Sequence, residues 1–73
     1  MRVLYTSKID GDFPGWDGDK KYKLVNGTVW EMVQYKYEDK YLYCPAAKIV
    51  EEGGRRYLIV EGMTGKVEVR EVY

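Results

Sequence analysis

No window of this chain carries apolar residues at i, i+3, i+4 and i+7 without interruption, whereas Val, Ile, Tyr, Trp and Thr recur in short runs between glycine-containing breaks. That pattern rules out an amphipathic helix and predicts short strands throughout. The first run, residues 2 to 9, alternates Val3, Tyr5, Ser7 and Ile9 against Leu4, Thr6 and Lys8, which predicts one mostly apolar face. Regularity then stops. Residues 10 to 19 hold three glycines, one proline and four aspartates, all turn formers, around Phe13 and Trp16. This stretch reads as a structured loop tacked down by its two aromatic rings.

Residues 20 to 25 and 28 to 35 flank Asn26-Gly27, the strongest short-range hairpin signal. A two-residue turn would set Lys23 opposite Trp30 and mix charge with aromatic on both faces. A three-residue turn with Gly27 left-handed instead pairs Leu24 with Thr28 and Tyr22 with Trp30, leaving Lys21, Lys23 and Glu31 outside. The second register makes Tyr22, Leu24, Trp30 and Met32 one core patch. Glu38-Asp39-Lys40 reads as a turn into Tyr41-Leu42-Tyr43-Cys44, and Pro45 marks a break or bulge. Around Gly53-Gly54, a two-residue turn sets Ile49 against Leu58 and Ala47 against Val60, with Glu51 and Glu52 across from Arg56 and Arg55. A last strand from Lys66 to Tyr73 carries Val67, Val69 and Val72 inward.

Five or six short antiparallel strands must hide two edges and one hydrophobic face, and closing into a small barrel does both. The expected fold is therefore all-β, a small antiparallel SH3-like barrel over residues 1–73, with an oligonucleotide-binding-type barrel as the alternative. A chain of 73 residues buries only about 60% of the surface its unfolded form exposes. Large rings must supply much of that burial, and the chain has eight Tyr, two Trp and one Phe to do it.

Asp10-Gly11-Asp12-Phe13, Gly15-Trp16-Asp17-Gly18, Leu24, Asn26-Gly27 and Val29-Trp30 together resemble a family of short, uncharacterised bacterial domains with the motif Ile-Asp-Gly-x-Phe-x-Gly-Trp-x-Gly, then Leu-x-Asn-Gly-x-x-Trp. Cys44-Pro45, Lys48-Ile49 and Val60-Glu61-Gly62 fit the same order, so the resemblance spans nearly the whole chain. It implies an all-β barrel and transfers no catalytic or ligand residue. Where such domains often carry a Gln pair after the tryptophan, this chain has Glu31-Met32.

Composition narrows function mainly by exclusion. Twelve basic against twelve acidic residues give no net charge, which argues against a nucleic-acid partner, since such binders need surplus Lys and Arg. The absence of His removes the usual proton shuttle and the commonest transition-metal ligand. Cys44, the one cysteine, has no base or cationic cluster beside it in sequence and reads as a reduced, buried thiol, consistent with a cytoplasmic setting. No apolar run spans a bilayer, and the start is too short and polar for a signal peptide. Asp10, Asp12, Asp17 and Asp19 match no calcium-loop spacing and read as turn residues. Glu51-Glu52 beside Arg55-Arg56 reads as a solvated ion-pair patch rather than an acid–base pair.

No catalytic residue, cofactor motif or metal set is read from the sequence. What remains is an excess of tyrosine. Trp30 is expected in the core, whereas Trp16, Tyr35, Tyr37, Tyr41 and Tyr43 are the candidate binding residues, because Lys36, Glu38 and Lys40 among them keep that stretch at the surface. The expected occupant is a protein or peptide, with a second copy of the chain as the alternative.

Overall fold

The computed structural model describes residues 1–18 and 20–72. All regular structure in it is strand: β1 (Arg2–Lys8), β2 (Asp12–Trp16), β3 (Lys21–Lys23), β4 (Val29–Met32), β5 (Glu38–Tyr43), β6 (Ala46–Glu52), β7 (Arg55–Val60) and β8 (Val67–Val72). Six of them form one antiparallel sheet in the order β1-β6-β7-β8-β4-β3, and β2 pairs with β5. The all-β, antiparallel expectation holds, but eight strands stand where five or six were expected.

Both tight turns set the registers their glycines predict. Gly27 is left-handed at φ 91°, Leu24 N–H donates to Thr28 C=O at 2.9 Å, and Tyr22 lies opposite Trp30. The Asn26 carboxamide accepts from the Thr28 N–H and hydroxyl, and Thr28 in turn accepts from the Trp30 indole at 2.8 Å. The turn is thereby wired to a buried ring. Across Gly53-Gly54, Ile49 faces Leu58, Ala47 faces Val60, and Glu51 and Glu52 face Arg56 and Arg55. The ion pairs, however, run to the neighbouring strands and the β7–β8 loop: Arg2 to Glu51, Lys66 to Glu52, Arg55 to Glu68 and Arg56 to Glu71. Opposed residues share a face, yet long side chains reach past their partners to the next strand.

In β1 the simple alternation fails. Its register with β6 slips between Val3 and Tyr5, so Leu4 is an extra residue that packs against the core while Val3 is exposed. Past the bulge the inward face changes, and Ile9 is buried. Bulged strands bend, and Tyr5 at this edge touches Trp30 of β4 with ring centroids 6.2 Å apart.

The expected small barrel, SH3-like or oligonucleotide-binding-type, is not closed: the six-stranded sheet stays open along most of its length. Its two edges meet at one bridge, Ile9 with Leu24, after which the chain turns through Gly11 (φ 88°) into β2 and swings away from β3. A matching corner lies at Cys44 (φ 46°), where β5 passes into β6. β1–β2 and β5–β6 thus form one long antiparallel ribbon bent at its middle, held there by Ile9 N–H to Pro45 C=O and Cys44 N–H to Gly11 C=O. Residues 12–16, expected within a loop, are strand, and residues 38–40, expected as a turn, are the first half of β5. Phe13 and Trp16 do pin the first of them, packing on Tyr22 at 5.5 and 5.8 Å. Cys44 is half-buried at its corner instead of enclosed. Of the last strand, Val67 and Val69 are buried and Val72 is half-buried, while Tyr73 lies outside the described residues. Among the described residues no helix is long and apolar enough to cross a membrane.

Candidate functional site

Most of the aromatic residues fall into two groups, with Tyr5 and Tyr57 between them. Phe13, Trp16, Tyr22 and Trp30 are buried, whereas Tyr35, Tyr37, Tyr41 and Tyr43 are 71, 63, 67 and 72% exposed. Of the five residues expected on a binding face, Trp16 is therefore misplaced: it is 1% exposed and belongs to the core. Its loop position suggested exposure. The pairing of β2 with β5 instead turns that segment inward over Tyr22.

The four exposed tyrosines lie in the β4–β5 connection and in β5. Strand alternation sends Tyr41 and Tyr43 to the outer face of β5, while Leu42 between them packs against the core. The Tyr41 hydroxyl donates to the Asp12 carboxylate at 2.8 Å, and that bond lifts the Tyr41 phenol above its ordinary range. The ring is thus steered across β2 while remaining in water. Tyr35 lies against Gly18, where a Cβ would meet its ring, one carbon of it at 2.8 Å. Lys36 and Lys40 reach the β7–β8 loop. Their ammonium groups donate to the carbonyls of Thr64 and Gly62, at 2.9 and 2.5 Å, and tie the β7–β8 loop down.

Beneath this face, the ribbon needs a glycine at one point. Gly15 sits at φ 104°, and a Cβ there would run into the Glu38 carbonyl oxygen and approach the Lys40 nitrogen at 2.7 Å. The Tyr22 hydroxyl lies under the same stretch, donating to carbonyls of the β2 end (Gly15 at 3.2 Å, Asp17 at 3.1 Å) and accepting from Asp17 N–H at 2.7 Å. Burial pushes the Tyr22 phenol above its ordinary value of 10.0; the hydrogen bond from the Asp17 backbone opposes that rise and the Asp17 charge adds to it.

The aspartates expected to be turn residues are dispersed. Asp10 pairs with Lys23 at 3.8 Å and Asp12 accepts from Tyr41, while Asp19 lies outside the described residues. Among the described residues no three acidic, Cys or His side chains gather as a metal site. One cluster was not singled out from the sequence: Lys20, Lys21 and Lys23 line a hollow of about 310 Å³ with Asp12 and Pro14, between β2 and β3. The signal for it was present in the Lys-Lys-x-Lys spacing, but only the parting of β2 from β3 makes it a site.

Comparison with family models, with curated proteins and with solved structures finds no match.

Proposed function

We propose that this domain is a non-enzymatic protein-interaction module whose contact face is the tyrosine-bearing segment from Tyr35 to Tyr43. The observation that carries this reading is the partition of the rings: the chain buries Phe13, Trp16, Tyr22 and Trp30, yet leaves four tyrosines on one short segment more than 60% exposed. Such rings offer large contact area with only two rotatable bonds to freeze, and tyrosine is enriched at protein interfaces for that reason. The unpaired Cys44 fits a reducing cytoplasmic setting for such a module.

Tyr37→Ala and Tyr41→Ala are expected to keep the fold and abolish capture of the protein partner that the parent domain retains. Equal capture by parent and variants would remove the strip as the site. Sedimentation across a concentration series tests the alternative occupant. A tight dimer that disappears in the same variants would make the strip a self-association face.

A further inference from the structure

Where β2 parts from β3, the sheet leaves an open seam. The ladder begins at the Ile9–Leu24 bridge with two bonds, Val25 N–H to Lys8 C=O at 2.9 Å and Asp10 N–H to Lys23 C=O at 2.8 Å, and goes no further. Residues of an antiparallel strand turn their backbone groups alternately to one neighbour and the other. On β3, Leu24 bonds toward β4, so Lys21 and Lys23 turn their groups to the seam. On β2, the Cys44 to Gly11 bond leaves Asp12 turned away from β5 and toward the same seam. No backbone bond joins Asp12 to Lys21 or Lys23 among the described residues.

The two sides of the seam are not equivalent. Pro14 takes the next outward position on β2 and has no N–H, which blunts that side. On β3 the N–H groups of Lys21 and Lys23 and the Lys21 carbonyl have no backbone partner among the described residues. The charge around them is mixed, with Lys20, Lys21 and Lys23 sharing the hollow with Asp10 and Asp12, and the surplus is on the lysine side. Lys20 and Lys21 carry no ion pair among the described residues, while Asp10 is held by Lys23 and Asp12 accepts from Tyr41. Lys21 and Lys23 stand roughly 7 Å apart on one face of the strand, the spacing at which an added strand presents alternate side chains.

We propose that the β3 edge takes up an extended acidic segment of a partner protein by strand addition, its main chain bonding Lys21 and Lys23 and its carboxylates meeting the ammonium groups of Lys20 and Lys21. This site meets the tyrosine segment only at Asp12, which accepts from Tyr41, and the proposal does not rest on that segment being a contact face. The probe is a short, end-blocked peptide of alternating Glu and Val, titrated into the ¹⁵N-labelled domain. The Lys21 and Lys23 amides should shift most and become protected from exchange, and the Lys/Val counterpart should not bind. Lys20→Glu/Lys21→Glu should weaken the acidic peptide about tenfold or more, Lys20→Gln/Lys21→Gln by less, and added salt should weaken it too. Tyr37→Ala and Tyr43→Ala should leave these shifts unchanged. Equal binding of the Lys/Val peptide, or undiminished binding by the charge-reversed variant, overturns the proposal. An oligothymidylate that shifts and protects the same amides as well as the peptide does would also overturn it, in favour of a general anion site.

Discussion

Two antiparallel ribbons in this molecule differ mainly in what surrounds them. The β6–β7 hairpin joins strands two residues apart, lies between β1 and β8, and keeps its register throughout. The β2–β5 ribbon joins Asp12 to Tyr43, has no further strand on either side, and slips its register between Phe13 and Gly15. An enclosed ribbon is held by its neighbours on both edges. A ribbon without them depends on its own inner face and on a few backbone positions. The β2–β5 ribbon spends Phe13, Trp16, Gly15 and Leu42 on attachment, which leaves the outer face of β5 open for tyrosines.

If that is so, the peripheral ribbon is anchored as strongly as the core of the sheet. Trp16→Ala should cost about 3–5 kcal/mol, as much as Trp30→Ala, by urea unfolding, because both rings are fully enclosed. A much smaller loss at Trp16 would make the ribbon an appendage. Gly15→Ala should cost about 3 kcal/mol or more, since strain at φ 104° is joined by a clash with the backbone of β5. The thermal midpoint of the variant measures it.

Tyr22→Phe sharpens the link between the two regions. Loss of the hydroxyl removes the hydrogen bonds to the Gly15 carbonyl and from the Asp17 N–H and should cost about 1–3 kcal/mol. The pH dependence follows from the raised phenol. Above pH 10 the unfolded chain gives up this proton before the folded one does, so the contribution of Tyr22 is complete at neutral pH and is lost as pH climbs through the folded value. The alkaline fall in stability should be shallower in Tyr22→Phe. Gly27→Ala gives the smallest loss, about 1 kcal/mol, for its φ of 91° is strained but a Cβ there meets nothing.

The same contrast explains what could be read from the sequence. Asn26-Gly27 and Gly53-Gly54 carry their registers within a few residues, so Tyr22 opposite Trp30 and Ile49 opposite Leu58 were legible. Nothing local announces that Asp12 will pair with Tyr43. Pro14 and the surrounding aspartates and glycines argue for a loop, and the burial of Trp16 follows only from that distant pairing. That some of Tyr35, Tyr37, Tyr41 and Tyr43 lie at the surface was legible because Lys36, Glu38 and Lys40 stand among them. The Lys20–Lys23 seam was not, since it exists only because β2 leaves β3 after one bridge.

The central claim is that the molecule separates anchoring rings from presented ones, and one unfolding experiment tests it directly. Tyr37, Tyr41 and Tyr43 would be replaced together by threonine, which keeps strand propensity, and the urea midpoint compared with that of the parent. The account predicts a loss within about 1 kcal/mol, since exposed rings give up little on removal. A loss of about 3 kcal/mol or more, the scale of a core ring, would mean that these tyrosines hold the fold together and are not a free contact face.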